Sequence, residues 1–364
     1  MEILLGKTLT ELQEVALSVG LQRFAGKQLA EWLYVRRVTS FDGMTNISLK
    51  GREALKARYA IGRYAPVREA VSQDGTRKYL FEVSNDQLPI TNYQSRFVET
   101  VYIPEDDRAT LCVSSQAGCK MGCRFCMTGT LGFHGHLSAA DILNQVFEID
   151  QRLTTTEALP GPLTNLVLMG EGEPMDNLDN VLRALEILTA DYGCAWSPKR
   201  ITVSTVGIPQ MKRFLDESEC HLAVSMHNPF GAERAQIMPA ERLMHITDVV
   251  ALLKQYDWSH QRRVSFEYIC WGGSSGSTPE NAVQNTTIRH ANELLRLLRG
   301  LNCRINLIRF HEGVDRAFPA SDEKQMEWLR DYLTEHGLTT TIRRSRGEDI
   351  LAACGMLVNA LQKD

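Results

Sequence analysis

The chain has 364 residues, of which 43% are hydrophobic and 23% charged, and its formal net charge is −4 at pH 7. These values are ordinary for a soluble globular protein with a large core, and they give no global sign of nucleic-acid binding, so any RNA partner must be held by local basic patches. The nine cysteines are irregularly spaced, which argues against a secreted disulfide framework and indicates a reducing compartment in which some cysteines bind metal or react.

The N-terminal residues 1–64 are predicted to form a helical domain of three short amphipathic helices. The first helix has Thr8 as its N-cap, and Glu11 three residues later completes a capping box. The third helix has Ser48 as a candidate N-cap and Gly62 as the glycine that ends it. This pattern indicates a small accessory domain ahead of the rest of the chain.

From residue 65 to residue 108 the hydrophobic period changes to two, which is typical of β-strands. The run "VREAVSQDGTRKYLFEV" places Asp74-Gly75 between two alternating segments, and this dipeptide is a strong hairpin signal. "SRFVETVYI" predicts a further strand. We interpret residues 65–108 as a β-rich extension that leads into the main domain.

Residues 109–346 alternate apolar strand segments with amphipathic helices, from "TLCVSS" to "TTTIRRS". We count six strands with a helix between each pair, which predicts parallel strands joined by right-handed crossovers. An α/β series of this size fits an open, partial (β/α)6 barrel better than a closed eight-stranded one. Functional groups are then expected at the carboxyl ends of the strands, and residues 347–364 form a C-terminal segment beyond the series.

The stretch "LCVSSQAGCKMGCRFCMTG" carries the strongest chemical signal. Cys119, Cys123 and Cys126 form a C-x3-C-x2-C run, and thiolate-rich sites select zinc, cuprous copper or iron–sulfur clusters. A closed zinc site needs a fourth ligand, and the cysteines after this run lie singly along the chain. Three thiolates on a four-iron cluster leave one iron open to an exogenous ligand. Spacing alone favours an iron–sulfur cluster and leaves zinc as the alternative.

Polar residues at other predicted strand ends are candidates for ligand binding, although each also has an ordinary structural interpretation. "GEGEP" follows a buried strand, so its glycines let backbone approach a ligand and its carboxylates can accept from an amine; a solvated loop would look the same. Ser204, Ser225, Met226 and His227 end two further strands. Lone hydroxyls and histidines at such positions are more often structural than ligating.

Three further residues look structural when considered one at a time. Cys354, which lies among alanines, and Cys112, in a predicted strand, are both typical of small buried hydrophobes. Glu99, in "FVETVYI", is typical of a solvated strand carboxylate. Composition and spacing give none of the three a chemical role.

Together these motifs resemble the RlmN/Cfr family of radical S-adenosylmethionine RNA adenosine methyltransferases, and most closely its RlmN branch. The resemblance rests on "RFVETVYIPEDDRATLCVSSQAGC", "LMGEGEPMDNLDNV", "KRITVSTVGIP", "LAVSMHNP", "INLIRFH" and "RRSRGEDILAACG", and it covers nearly the whole chain. It implies a partial (β/α)6 barrel of the radical S-adenosylmethionine type. It also implies a [4Fe–4S] cluster held by Cys119, Cys123 and Cys126, with S-adenosyl-L-methionine bound to the open iron.

The resemblance further implies which residues contact S-adenosylmethionine. These are Gly172, Glu173, Ser204, Ser225, Met226, His227 and His311. The family usually carries methionine where this chain has Glu171, and asparagine where it has His311. The first departure adds a charge near the cofactor.

The reaction implied by the resemblance is methylation of carbon 2 of adenosine. Cys354 accepts a methyl group from one S-adenosylmethionine by displacement, and a second molecule gives the radical that activates this methyl group. Glu99 removes the ring proton as the general base. Cys112 then attacks the sulfur of Cys354, which forms a transient disulfide and releases the product.

The implied substrates are 23S rRNA, at the peptidyl-transferase centre, and tRNA, at the adenosine 3′ of the anticodon. RNA contact is expected from the N-terminal domain and from basic clusters suited to phosphates. These clusters are Arg36-Arg37, Lys50-Arg52, Arg262-Arg263 and Arg343-Arg344-Arg346. A flavodoxin-like electron donor, a monomeric state and a cytoplasmic location are expected. The N-terminus has no signal-peptide pattern, and no apolar run approaches the ~18 residues of a membrane span.

Two alternatives stay open on the sequence. Both branches of the family share the cluster and the two cysteines, so the motifs do not separate methylation at carbon 2 from Cfr-type methylation at carbon 8 of the same rRNA adenosine. A non-catalytic RNA-binding protein stabilised by zinc would also use the three-cysteine run.

Overall fold

The computed structural model describes residues 1–83, 97–155, 162–259, 264–272, 283–311 and 318–357. Within these ranges the strands are β1 (Glu2–Ile3), β2 (Tyr59–Ala60), β3 (Arg68–Val71), β4 (Arg77–Glu82), β5 (Phe97–Pro104), β6 (Ala109–Cys112), β7 (Gln116–Gly118), β8 (Phe133–His136), β9 (Asn165–Leu168), β10 (Ile201–Thr205), β11 (His221–Ser225), β12 (Val264–Cys270), β13 (Cys303–Arg309) and β14 (Thr340–Ile342). The α-helices are α1 (Leu9–Ser18), α2 (Ala25–Ala30), α3 (Leu49–Arg58), α4 (Met127–Thr130), α5 (Ala139–Thr155), α6 (Leu178–Thr189), α7 (Met211–Glu217), α8 (Gly231–Ile237), α9 (Ile246–Leu253), α10 (Ile288–Leu298) and α11 (Glu323–Glu335).

The N-terminal helices begin where their caps predict. The Thr8 N–H donates to Glu11 Oε2 at 2.7 Å, and the Glu11 N–H donates to Thr8 Oγ1 at 3.5 Å, so the capping box is present. Ser48 caps α3. The prediction that α3 continues to Gly62 is wrong, because the chain leaves the helix after Arg58 to form β2, which pairs in parallel with β1.

The main element is a ten-stranded sheet with the order β14-β13-β12-β11-β10-β9-β6-β5-β4-β3. Seven of these strands, β6 and β9 to β14, run parallel to one another. The other three, β3, β4 and β5, continue the sheet with antiparallel pairing. The predicted hairpin is therefore β3–β4, and the β-rich extension shares one sheet with the strand–helix series.

The predicted alternation of strands and helices is confirmed, but the count of six parallel strands is one too low. β14 follows α11 and pairs with β13, which gives seven parallel strands. β12 is buried at all seven residues, as expected for a parallel strand covered on both faces. The residues after β9, β10, β11 and β12 therefore meet at one edge of the sheet.

One hydrophobic core extends from the N-terminal helices into the strand–helix series. It includes Leu12 of α1, Phe147 of α5 and Val203 of β10, all fully buried. None of the helices in the described ranges combines the length and apolarity that a bilayer crossing requires.

Candidate active site

A cavity of about 900 Å³, counted with its open mouth, lies at the carboxyl ends of the parallel strands. Nine of the candidate catalytic, cofactor-binding and cluster residues line it: Cys119, Cys123, Cys126, Gly172, Glu173, Ser204, Ser225, His227 and Cys354. Met226 is buried in the core beside it. His311 lines an adjacent cavity of about 480 Å³, and both cavities have Phe125, Ile269 and Cys354 in their walls.

The three-cysteine run forms a loop between β7 and α4. Gly118 enters it with φ 67°, and a β-carbon there would lie 1.9 Å from the Gly132 carbonyl oxygen, so glycine is required. The Cys119 N–H donates to that same oxygen at 2.9 Å. Burial raises the pKa of Cys119 to about 12, and the charges of Glu173 and Cys126 add to the effect.

The donor set at this loop fits an iron–sulfur cluster. Three thiols face one cavity, and the charges of Cys126 and Cys119 both raise the pKa of Cys123 beyond the effect of burial. Soft thiolates at this spacing suit a cluster in which each binds a different iron. Among the described residues, no three His, Cys, Asp or Glu side chains converge closely enough to hold a single metal ion.

"GEGEP" follows β9 and presents a buried carboxylate to the cavity. Gly172 has φ 97°, and a β-carbon there would lie 2.5 Å from Cβ of Gln116. Glu173 Oε2 accepts from the Val206 N–H at 2.8 Å and Oε1 from the Met175 N–H at 3.1 Å. Burial raises the pKa of Glu173 to about 7. An ammonium group in the cavity would find this carboxylate fixed in place.

His227 follows β11 as a neutral donor. Its Nδ1 accepts from the Ile269 N–H at 3.1 Å, so the ring proton lies on Nε2. Burial lowers its pKa to about 3, and the charge of Arg234 acts in the same direction. Asn285 holds the backbone here, with Nδ2 donating to the His227 carbonyl at 2.7 Å.

Arg234 is a site residue that sequence reasoning missed. Its buried guanidinium pairs with Glu241 at 2.5 Å and donates to the carbonyls of Met226 at 2.9 Å and Ser225 at 2.9 Å. Another bond reaches the Val206 carbonyl at 2.5 Å. Arg234 therefore ties together the chain segments that follow β10 and β11. The sequence signal was the Arg–Glu pair in "GAERAQIMPAER". The carbonyl groups that Arg234 contacts lie at the ends of β10 and β11, which the sequence pattern does not show.

The C-terminal segment lies against the cluster loop. The Met127 N–H, next to Cys126, donates to the Gly355 carbonyl at 2.8 Å, and Thr128 Oγ1 donates to the Leu357 carbonyl at 3.0 Å. These bonds place Cys354 in the cavity wall. Burial of the sulfur raises the pKa of Cys354, and the positive charge of Arg343 acts against this effect.

Cys112 lies behind the same segment. It packs with Val101, Ala352 and Leu357 in a small apolar cluster. Burial raises the pKa of Cys112 to about 12, and the neighbouring charge of Cys354 adds to the effect. The structure therefore brings together two cysteines that are far apart in sequence.

Glu99 lies on β5, outside the cavity lining. Its buried carboxylate pairs with Lys78, the Nζ atom of which is 2.9 Å from Oε1. The same Nζ donates to the Leu351 carbonyl at 3.3 Å, three residues before Cys354. Lys78, which the sequence did not single out, thus contacts both Glu99 and the C-terminal segment.

The basic clusters differ in what they contact. Arg343 faces the cavity, with Nη1 3.6 Å from Oε2 of the buried Glu267, and Arg346 lies 3.9 Å from Asp74. Arg37 pairs with Asp150. The predicted cluster at 262–263 lies outside the described residues.

Comparison with known proteins identifies the family. Residues 3–61 match the family model described as ribosomal RNA large subunit methyltransferase N-terminal domain. A probable dual-specificity RNA methyltransferase RlmN of Bacteroides fragilis is 55% identical over 364 residues, which is 99% of this chain and 97% of the relative. The chain belongs to the RlmN family. The prediction of the RlmN branch is confirmed.

More distant relatives agree with this assignment. A dual-specificity RNA methyltransferase RlmN of Syntrophotalea carbinolica is 37% identical over 356 residues, which is 97% of this chain and 89% of the relative. The crystal structure of a radical SAM methyltransferase from Sphaerobacter thermophilus matches with a TM-score of 0.86 and 34% identity, over 99% of this chain and 100% of that one. The predicted fold is confirmed. This RlmN-family chain is a radical S-adenosylmethionine methyltransferase that uses a [4Fe–4S] cluster and S-adenosylmethionine.

Proposed function

We propose that the protein methylates carbon 2 of adenosine in 23S rRNA, at the peptidyl-transferase centre, and in tRNA, at the position 3′ of the anticodon. The observation that carries the proposal is the position of Cys354, whose thiol opens into the cavity lined by the cluster cysteines and Glu173. A thiol in that place can accept a methyl group by displacement. The naming of the relatives as dual-specificity RNA methyltransferases supports two kinds of RNA substrate.

The cavity lining supports the proposed cofactor contacts. The cluster ligands are Cys119, Cys123 and Cys126. S-adenosylmethionine is held by Gly172, Glu173, Ser204, Ser225 and His227, with Glu173 placed for its amino group and His227 as a donor. Met226, whose side chain is buried, contributes from behind the cavity wall. His311 contacts whichever part of the cofactor extends into the adjacent cavity, since the two cavities share walls.

Two of the chain's own residues act before product release: Cys354 accepts the methyl group, and Glu99 removes a proton from the base. When bound, the cluster and S-adenosylmethionine supply the methyl group and the radical that activates it on sulfur. The Cys354 thiolate is the nucleophile that takes the methyl group, and the nearby charge of Arg343 favours that thiolate. Once the activated carbon on the Cys354 sulfur has bonded to carbon 2, Glu99 accepts the proton from carbon 2 as the general base, and Lys78 fixes its carboxylate.

Cys112 releases the product. Its thiolate attacks the Cys354 sulfur, so that an S–S bond forms and the S–C bond to the methylated base breaks. The electron pair of the broken bond goes to carbon, which takes a proton and becomes the methyl group. The apolar cluster supports this pairing, because Cys112 packs against Ala352 and Leu357, which flank Cys354 in the chain, and because the charge of Cys354 acts on the Cys112 thiol.

The proposal also covers the RNA contacts, the electron donor, the oligomeric state and the cellular location. The N-terminal domain and Arg36, Lys50, Arg52 and Arg344 are proposed to contact phosphates. A flavodoxin-like donor reduces the cluster, and the protein acts as a monomer in the cytoplasm.

The experiment combines product mapping with a trapped intermediate. Mass spectrometry of the methylated RNA is expected to place the methyl group on carbon 2; methylation at carbon 8 alone would assign the Cfr-type activity instead. Cys112→Ala is expected to accumulate a protein–RNA adduct through Cys354. Cys220→Ala, which alters a buried core cysteine, is the matched control and is expected to turn over normally.

Two results would contradict the proposed roles. Normal turnover by Cys112→Ala would remove its resolving role. Zinc in place of about four irons per chain after anaerobic reconstitution would exclude the cluster and restore the non-catalytic alternative.

A further inference from the structure

Glu171, the residue at which the chain departs from its family's usual methionine, is buried beside the cluster loop with 1% of its surface exposed. Its Oε1 accepts from the Glu99 N–H at 2.8 Å, and its Oε2 accepts from the Gly118 N–H at 3.4 Å. Gly118 directly precedes the cluster ligand Cys119. One carboxylate therefore joins the strand of Glu99 to the start of the cluster loop.

The backbone of Glu171 is fixed as firmly as its side chain. Its N–H donates to Ser114 Oγ at 2.9 Å, and this hydroxyl in turn donates to the Glu99 carbonyl at 2.6 Å. Its carbonyl accepts from the N–H groups of Ser115 at 2.9 Å and Gln116 at 3.2 Å. Methionine at this position would leave both the Glu99 and the Gly118 N–H groups without this acceptor, and glutamine would keep only one acceptor oxygen for the two. An unsatisfied N–H group costs free energy in a buried site.

The negative charge of the Glu171 carboxylate acts on the cluster ligand Cys126, the pKa of which it raises in addition to the effect of burial. Two backbone N–H groups donate to this carboxylate and hold it in place. Electrostatic interactions are stronger in a buried site than in water. The reduction potential of an iron–sulfur cluster depends on nearby charge and on hydrogen bonding and solvent exposure. A fixed negative charge opposes the addition of one electron to the cluster, and so makes the reduced cluster a stronger reductant.

We propose that Glu171 is a positioning residue that anchors the cluster loop to the strand of Glu99 and lowers the reduction potential of the cluster held by Cys119, Cys123 and Cys126. The potential depends on the cluster site alone, whereas the importance of the link to Glu99 rests on the proposed function. An electron from a low-potential one-electron donor, dithionite in the test below, reduces the cluster.

The test is a redox titration of the full-length, anaerobically reconstituted protein without RNA, followed by the electron paramagnetic resonance signal of the reduced cluster. Glu171→Met and Glu171→Gln are expected to shift the midpoint potential to less negative values, because both remove the charge. Glu171→Asp keeps the charge and is expected to stay closer to the wild-type potential. Asp150→Asn is the matched control, since it changes another buried carboxylate, whose partners are Arg37 and Leu163.

Each outcome bears on the proposal. The resonance signal comes only from protein molecules that contain the cluster, so the potential can be measured even when the iron content is low. A lower iron content in Glu171→Met than in the wild type would support the anchoring role. Unchanged potentials in both Glu171→Met and Glu171→Gln, or an equal shift in Asp150→Asn, would overturn the effect on the potential. If the product carries its methyl group elsewhere than carbon 2, the proposed function fails while the shifted potential still supports Glu171.

Discussion

At the scale of single residues, Glu173 makes S-adenosylmethionine binding depend on pH. Burial raises its pKa to about 7, so the carboxylate that would accept from the amino group is protonated as the pH falls below that value. Affinity should therefore be lower at pH 6 than at pH 8, by roughly tenfold for a group that titrates near 7. Isothermal titration calorimetry across this range measures the effect. Glu173→Gln should bind more weakly and show little change between the two pH values; a parallel pH dependence in that variant would assign the titration to another group.

The alkylation rate of Cys112 should also depend on pH. Its thiol is faced by Cys354 and by the guanidinium of Arg343, and burial raises its pKa to about 12. The thiolate is the reactive form, so alkylation at pH 8 should be roughly a thousandfold slower than for an ordinary thiol and should increase up to about pH 12. Peptide mass spectrometry after iodoacetamide treatment measures the rate.

The charge of Arg343 also affects how fast Cys112 is alkylated. Its charge lowers the pKa of Cys112 against the effect of burial, so Arg343→Met should slow alkylation further and Arg343→Lys should restore part of the rate. The urea-unfolded chain is the reference for an unperturbed thiol. Equal alkylation rates in the folded wild type and Arg343→Met would show that the guanidinium does not act on Cys112.

At the scale of elements, sequence patterns predicted what depends on neighbours in the chain. The Thr8 capping box, the Asp74-Gly75 hairpin and the strand–helix alternation are local signals, and all are present. The end of α3 was misplaced because β2 forms by pairing with β1, more than fifty residues away. The roles of Arg234 and Lys78 depend on the fold for the same reason, since Val206 is 28 residues from Arg234 in the chain and Leu351 is 273 residues from Lys78.

The site shows the same division. The cluster cysteines stand out by spacing, whereas Cys112 and Cys354 gained a role from family resemblance alone. Their proximity depends on how residues 347–357 fold back across β5 and β6. Glu171 was recognised as a departure from the family pattern, but its contact with Gly118 needed the three-dimensional structure.

The C-terminal segment is held to the β3–β4 hairpin by its own hydrogen bonds. Asp349 accepts from Ser72 Oγ at 2.5 Å and from the Gln73 N–H at 3.1 Å, and Asp74 accepts from the Gly347 N–H at 3.0 Å. Asp349→Ala should therefore raise amide hydrogen exchange within residues 347–357 and leave exchange in β12 unchanged, because it removes two of the bonds that resist local opening of this segment. Hydrogen-exchange mass spectrometry measures both. Asp191→Ala, which alters an exposed aspartate elsewhere, should change neither; equal exchange in the two variants would show that the hairpin does not hold the segment.

At the scale of the whole molecule, the N-terminal helices and the strand–helix series should unfold as one unit, because they share a core and are joined by ion pairs. Arg63 pairs with Glu148 at 2.6 Å with only 2% of its side chain exposed, whereas Arg183 pairs with Glu11 at the same distance with 41% exposed. Loss of a buried partner leaves an uncompensated charge, so Arg63→Met should lower the free energy of unfolding by about 3 kcal/mol. Arg183→Met removes a half-exposed pair and should cost below about 1 kcal/mol.

Calorimetry of the wild type and both variants tests this expectation of coupling. A single transition that moves to lower temperature as a whole in Arg63→Met is the expected result, because destabilising the contact between the N-terminal region and α5 destabilises every element that shares the core. Two separate transitions, of which only the smaller responds to Arg63→Met, would show that the N-terminal region unfolds independently. The cluster cysteines lie outside the contact between Arg63 and Glu148. The three proteins are compared at the same iron content, because a difference in bound cluster would itself shift the unfolding transition.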